Sequence, residues 1–293
     1  MIAKLEMLLA LAKEQHFGRA AESMGITQPT LSTGIRQLEG QLGVKLVQRG
    51  SRYGGLTPEG QRALVWARQI VGDTRKLREE MRYSQEGLAG HVRLAVIPTA
   101  LTWAARLTSR FSAKHPNVSF SILSRSSVDL LAMLENLDAD AGITYLDNEP
   151  LGRMASVGLY SEHYALLCPP DHAYAKRKNV QWQDLGGLRL CLLTPDMQNR
   201  RIINRNLMEA GLEPKTLIES NSTIVLVSNV IEGGFVTVLP TDLARFLSVG
   251  HDLSVVPIAE GGLVPTVGLI AVHQEPYTPV LQSLMRAAAE IAK

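Results

Sequence analysis

Cysteine is scarce in this 293-residue chain, with Cys168 and Cys191 the only two. That is too few for a disulfide scaffold or a cysteine-bound metal cluster. Both lie inside apolar runs, YALLCPP and LRLCLLT, so they read as buried strand residues rather than exposed, reactive thiols. The seven histidines, at 16, 91, 115, 163, 172, 251 and 273, have no paired spacing of the kind a zinc helix or finger needs. No metal is therefore expected. A run of about 18 apolar residues is also missing, which excludes a membrane-spanning helix. The opening MIAKLEMLLALAKEQ is interrupted by Lys and Glu too often to be a signal peptide. A cytoplasmic location is the expectation. Gly233-Gly234 and Gly261-Gly262 lack the strand, glycine spacing and lysine of a nucleotide loop and read as turns. No nucleophile, base and orienting group stand together, so no catalytic residue and no cofactor is expected.

What is present is enough apolar residue, 45%, to build conventional cores in a chain longer than one typical domain. Net charge is only +2, but it is unevenly placed. Residues 1–90 carry thirteen Lys and Arg against nine Asp and Glu, and the remainder seventeen against nineteen. A mildly basic N-terminal part suits nucleic acid, whereas the rest has no reason to seek it.

The informative stretch is FGRAAESMGITQPTLSTGIRQLEGQLGVKLVQRGSRYGGLT, residues 17–57. A short helix from Gly18 to Met24 ends at Gly25, which can take the left-handed conformation of a tight helix-to-helix turn. Thr27 can cap a second helix, and Pro29 sits in its first turn, where a missing amide proton costs nothing. Leu31, Ile35, Leu38 and Leu42 mark one buried stripe of that helix. The opposite face carries Gln28, Thr30, Ser32, Thr33, Arg36 and Gln37, whose amides, hydroxyls and guanidinium can bond base edges and phosphates. Val44 to Thr57 then reads as a hairpin wing with Lys45, Arg49 and Arg52. The expected DNA contacts are Arg19, Thr27, Gln28, Pro29, Thr30, Ser32, Thr33, Arg36, Arg49 and Arg52. Ahead of this head, Ile2, Leu5, Leu8, Leu9 and Ala12 share one side of a supporting helix.

This segment resembles the winged helix-turn-helix of LysR-type transcriptional regulators. It matches without gaps at Phe17, Arg19, Ala20, Ala21, Thr27, Gln28, Pro29, Leu31, Ser32, Ile35, Leu38, Glu39, Leu42, Gly43, Leu46, Arg49, Leu56, Thr57 and Gly60. Two positions depart from the family pattern: Thr33, commonly arginine, and Val47, commonly phenylalanine. The resemblance continues more weakly after about residue 90. It implies operator DNA as partner, a small-molecule effector, pairing through a linker helix, assembly as a homotetramer, and RNA polymerase as a further contact.

From Pro58 to about Leu88, Ala63, Ala67, Ile70, Thr74, Leu77, Met81, Ser84 and Leu88 alternate spacings of four and three, a heptad seam. About 30 residues make a rod of about 45 Å, and a second copy of the helix is its natural cover. After Gly90, apolar strands alternate with amphipathic helices, which predicts open, mostly parallel sheets. Strands are expected near 92–96, 118–123, 140–144, 164–168, 188–193, 216–219, 235–239, 253–257 and 267–271. The resulting fold class is α/β, with an N-terminal all-α winged helix-turn-helix and, by the resemblance, a C-terminal two-lobe sensor of periplasmic-binding-protein type. The expected divisions are 1–58 for the head, 59–89 for the linker and 90–293 for the sensor, with lobe I at 90–161 and 268–293 and lobe II at 162–267.

Ligands of such sheets bind beyond the carboxyl ends of strands, where helix N-termini point amides at the crevice. Pro98, Thr99, Ala100, Ser126, Ser127, Thr144, Thr194 and Ser222 fit that geometry and would suit a small anion or carboxylate. Thr99 and Ser127 also match family positions lining the cleft. Taken singly, Ser and Thr before helices are usually caps. Arg200 and Arg201, in the first turns of a helix, read as solvated. The rival reading is a solute-binding or enzymatic α/β protein whose N-terminal helices merely dimerise it. Gln28, Pro29, Arg36, Arg49 and Arg52 discriminate the two.

Overall fold

The computed structural model describes residues 1–48, 53–147, 151–259, 261–273 and 275–292, without the side chains of 84–86. Two compact units emerge, one of Met1–Gly87 together with the short pieces Glu135–Asp138 and Pro276–Pro279, the other holding the rest.

The first unit contains α1 (Ile2–Glu14), α2 (Phe17–Ser23), α3 (Gln28–Leu42) and α4 (Pro58–Glu86). The boundaries follow from local chemistry. His16 caps α2, its Nδ1 accepting from the amides of Gly18 and Arg19 at 3.1 and 3.3 Å. Gly25 has φ 66°, the left-handed turn that α2 needs in order to end against α3. The Thr27 hydroxyl accepts from the Thr30 amide, and α3 stops at Gly43, φ 71°. Leu5, Leu8 and Leu11 of α1 form a core with Ala20, Ala21, Leu31, Ile35, Leu38, Leu46 and Val47. Leu11 replaces Ile2, Leu9 and Ala12, which are only half buried. Leu42 is not part of the stripe; it is 42% exposed, because α3 is already passing out of the core at its last turn.

The head and the rod are not separable units. Leu64, Ala67 and Val71 of α4 are buried in the core of the head. Ala67, expected in the seam, is thus spent on its own chain. Ile70, Leu77 and Met81 remain exposed, joined by Trp66. The seam position Ser84 lies outside the described side chains.

The second unit begins with β1 (Gly90–Val96), α5 (Leu101–Lys114), β2 (Val118–Ser124), α6 (Ser127–Glu135), β3 (Ala141–Tyr145) and β4 (Met154–Ser161). There follow β5 (Tyr164–Cys168), β6 (Cys191–Leu193), α7 (Gln198–Glu209), β7 (Ile218–Ser220), α8 (Thr223–Gly233), β8 (Thr237–Pro240), α9 (Thr241–Ser248), β9 (Ser254–Pro257), β10 (Thr266–Val272) and α10 (Pro279–Ile291). One sheet has the order β2-β1-β3-β10-β4, another β8-β5-β9, and β6 pairs with β7. The sheets are mixed rather than mostly parallel. β1 runs parallel to β2 and β3, but β10 is antiparallel to both β3 and β4, and β5 is antiparallel to β8 and β9. The cause is connectivity: β10 re-enters the first sheet after the chain has travelled through the second.

The first sheet and its helices make one lobe, the second sheet the other. The chain leaves the first lobe after β4 and returns before β10, and these crossings lie side by side, the Glu162 amide donating to the Pro265 carbonyl at 2.9 Å. Strand β4 was invisible to periodicity because MASVGLYS has no clean apolar alternation on the sheet's edge.

Candidate nucleic-acid interface and ligand cleft

In the first unit the described side chains expected to face DNA are exposed or half buried. Thr27, Gln28, Pro29, Thr30, Thr33 and Arg36 are exposed and Ser32 is half buried, while Leu31, Gly34, Ile35 and Leu38 face inward. Gly34 is where α3 crosses α1, for a Cβ there would collide with the Met7 sulfur. Two residues are committed in part to the head itself. Thr27 spends its hydroxyl on the cap and on Thr30 Oγ1 at 2.9 Å. Arg19 donates from Nη2 to the Glu14 carbonyl at 2.7 Å, although it is exposed. Arg36 pairs with no carboxylate among the described residues. Arg49 and Arg52 lie outside them.

Glu39 is the residue of the head whose role the sequence concealed. It is buried, and its Oε1 accepts from the amides of Leu46 and Val47 at 2.9 and 3.3 Å while Lys45 donates to Oε2 at 2.6 Å. Burial pushes this carboxyl up, but the bonds from Lys45 and from the two amides outweigh it and hold it below its ordinary value. The carboxylate fastens the start of the wing to α3. The wing's described part is paired as expected, Val47 opposite Leu56 with the Gln48 amide donating to the Gly55 carbonyl at 3.0 Å. Lys45 is consequently paired with Glu39 instead of being a free phosphate contact.

In the second unit, Pro98, Thr99 and Ala100 form a buried 3-10 turn leading into α5. Thr99 lies on a buried polar cluster drawn from both lobes. Its hydroxyl is 3.3 Å from that of Tyr145; the Tyr145 hydroxyl donates to Glu162 Oε1 at 2.8 Å, and that of Tyr164 to the same oxygen at 2.9 Å. Asn199 Nδ2, on α7, completes the group at 3.3 Å from the Tyr145 oxygen and 3.4 Å from Glu162 Oε1. Glu162 Oε2 and Asn199 Oδ1 have no partner among the described residues. Burial pushes the Glu162 carboxyl up to about 7 despite the bonds it receives from Tyr145, Tyr164 and Asn199. The tyrosines are pushed up in turn, by burial first and by Glu162 second.

Beside this cluster is a cavity of 240 Å3 walled by Thr99, Thr102, Trp103, Tyr160, Glu162 and Arg245, among others. Trp103 stacks on Tyr160 at 4.6 Å, and the Thr102 hydroxyl and Trp103 indole nitrogen are buried without hydrogen-bond partners among the described residues. Of the eight expected ligand positions only Thr99 lines this cavity. Thr144 is buried beside Tyr145, its hydroxyl without a partner among the described residues. Ser126 caps α6, accepting from the Asp129 amide and donating to its carboxylate at 3.2 and 2.9 Å, with buried Ser127 next to it. Thr194, its hydroxyl without a partner, and Ser222, just before α8, stand elsewhere on the second lobe.

Arg200 corrects a solvated reading. It is buried, and its guanidinium donates to the Leu193 carbonyl, Glu219, Thr216 and Asn204 at 2.7 to 2.9 Å. Arg201 binds Gln198. Glu162, Tyr145, Tyr164 and Asn199 were missed because a lone carboxylate and scattered tyrosines carry no spacing signal. Both cysteines are free and fully buried, and burial pushes each thiol up to about 11. Among the described residues no three of His, Cys, Asp and Glu cluster to hold a metal, and no helix is long and apolar enough to cross a membrane.

Comparison with known proteins matches residues 2–61 to the bacterial regulatory helix-turn-helix protein, lysR family, and residues 85–293 to the LysR substrate binding domain. The Escherichia coli DNA-binding transcriptional dual regulator OxyR is 31% identical over 240 residues, 82% of this chain and 78% of that protein. The hydrogen peroxide-inducible genes activator of Dickeya chrysanthemi is 30% identical, over 82% of this chain and 79% of its own. Among solved structures, a full-length OxyR variant from Pseudomonas aeruginosa superposes with a TM-score of 0.76 at 25% identity, covering 100% of this chain and 99% of that one. CbnR in complex with its target DNA shares the fold, with a TM-score of 0.65 at 18% identity and 100% coverage of both chains.

Proposed function

The chain belongs to the LysR family of DNA-binding transcriptional regulators, and from that premise we propose that α3 reads an operator while a small carboxylate or other small anion, bound between the lobes, controls the outcome. The observation that carries the first half is the open face of α3. Gln28, Thr30, Thr33 and Arg36 are exposed there, and the one acidic residue of α3, Glu39, is turned into the core. Amide, hydroxyl and guanidinium groups on such a face match base edges and phosphates. Thr33 supplies a hydroxyl where the family usually has an arginine, so more of the charge contact falls to Arg36 and to the wing.

The second half rests on the cavity beside Thr99. Its wall holds a hydroxyl and an indole N–H that bond nothing among the described residues, together with the guanidinium of Arg245. Groups of that kind favour a ligand rich in acceptors. The likeness to peroxide-inducible activators points elsewhere, toward thiol chemistry. Buried thiols pushed up to about 11 are poor nucleophiles, so Cys168 and Cys191 do not support it.

Two copies pair through α4, where Trp66, Ile70, Leu77 and Met81 leave an apolar strip on the helix surface, and the pairs join as a tetramer that works in the cytoplasm beside RNA polymerase. Effector binding acts only by differing in affinity for the two arrangements of the heads. Binding to DNA upstream of the protein's own gene, across a salt series with an unrelated duplex as control, is the test. Site-selective, salt-dependent binding is expected. Equal, weak binding to both duplexes would count against operator recognition by α3.

A further inference from the structure

A carboxylate entering the cleft meets a buried carboxyl. Glu162 lies on the cavity wall at the crossing between the lobes, and its two oxygens are unequally treated. Oε1 receives Tyr145, Tyr164 and Asn199, whereas Oε2, also buried, receives nothing from the described residues. No cation is paired with it among the described residues. We propose that Glu162 takes up a proton as a carboxylate effector binds, so that the ligand is held by an acid–carboxylate hydrogen bond and the regulator answers to effector and acidity together. This rests on the effector reading of the cleft given above.

The asymmetry dictates where the proton goes. Three donors converge on Oε1, leaving no room for a hydrogen there, and Oε2 is the free position. Protonated, it becomes a donor with no acceptor among the described residues, and a ligand carboxylate oxygen supplies that acceptor in a short charge-assisted bond. The proton comes from solvent and returns to it on release; no covalent bond changes.

The neighbours do not offer an alternative. Tyr145 from β3 and Tyr164 from β5 are already donating to Oε1. Tyr160 from β4 stacks on Trp103. Asp242 and Arg245, both from α9, and the exposed His163 complete the charged and titratable groups of the wall, and none of them bonds Oε2. Arg200, next to Asn199, is consumed by Glu219 and its other acceptors. Burial already raises the Glu162 carboxyl to about 7, and a second negative charge beside it raises it further.

The experiment is calorimetric titration of the full-length protein with acetate, propionate, succinate and benzoate, and in parallel with methylamine and benzylamine. It is run from pH 6 to 9 in two buffers of different ionisation enthalpy. The expected result is carboxylate binding with net proton uptake, weakening about tenfold per pH unit once the pH exceeds the range where free Glu162 titrates. In Glu162→Gln the amide nitrogen replaces the Oε2 hydroxyl as donor, so binding persists and its pH slope disappears. Imidazoles in general exchange protons near neutrality, so His163→Asn is the control, and its slope should match that of the unaltered protein. Carboxylate binding without proton uptake, or a slope that His163→Asn abolishes, overturns the proposal alone. Amine binding that strengthens with pH, or no binding by any carboxylate probe, overturns the effector class with it. Should Glu162→Gln fail to fold, proton uptake in the unaltered protein and in His163→Asn still decides.

Discussion

The Tyr145 hydroxyl, at the end of a first-lobe strand, donates across 2.8 Å to the Glu162 carboxyl, where the chain crosses into the second lobe. Tyr164 and Asn199 reach the same oxygen from the second lobe. Hydrogen bonds from both lobes thus converge on one buried carboxyl, in surroundings of low dielectric where each bond matters more than it would in water.

Glu162 should make the stability of the second unit pH-dependent. Its folded-state value, about 7, lies above its ordinary 4.5, so the folded protein keeps a proton that the unfolded chain has released between those values. Stability is greatest below about 4.5, falls as pH rises to about 7 and then levels off, a loss on the order of 3 kcal/mol. Thermal unfolding of Glu162→Gln between pH 4.5 and 8 should show that decline removed. An unchanged decline would assign it to other groups.

Glu39 has the opposite sign. Held below its ordinary value by Lys45 and two amides, it contributes stability above about 4.5 that is lost as pH falls through its folded value. Glu39→Ala leaves the amides of Leu46 and Val47 buried without an acceptor, at a cost of roughly 2–3 kcal/mol. Denaturant unfolding would measure that cost. Operator affinity should fall too, since the wing loses its tether.

Gly60→Ala tests the packing of α4 on the wing. A Cβ there would collide with the Leu46 carbonyl oxygen, which is backbone and cannot swing aside. Overpacking of this kind costs about 1–3 kcal/mol. A lowered unfolding midpoint with the second unit's own transition unmoved is the expected outcome.

On the DNA side, Arg36→Ala should weaken binding at every sequence and reduce the salt slope by about 1, as for a single lost phosphate contact. Were it to contact a base instead, specificity would relax at one operator position while the slope changed less. Binding isotherms at four salt concentrations separate the two.

Replacing Cys168 and Cys191 with alanine should leave the transcriptional response unaltered, including any exposure to peroxide. Both thiols are buried and pushed up to about 11, so the reactive thiolate is a minute fraction at neutral pH. A peroxide response lost in the double variant would reverse this conclusion.

Local patterns alone determined the head, the rod and most strands. Capping at Thr27, the left-handed glycine at 25 and the apolar stripe of α3 are short-range rules, and Glu39 was already among the matched family positions without its purpose being visible. Tertiary structure decided what depends on distant segments meeting. It turned β10 antiparallel, since direction is set by the route the chain takes between lobes. It buried Arg200 among acceptors from 193, 204, 216 and 219. It also gathered Tyr145, Tyr164 and Asn199 onto the Glu162 carboxyl, with Thr99 against Tyr145, from positions spread over a hundred residues. No spacing encodes such a cluster, because only the folded chain withdraws those polar groups from water and leaves them no partner but each other.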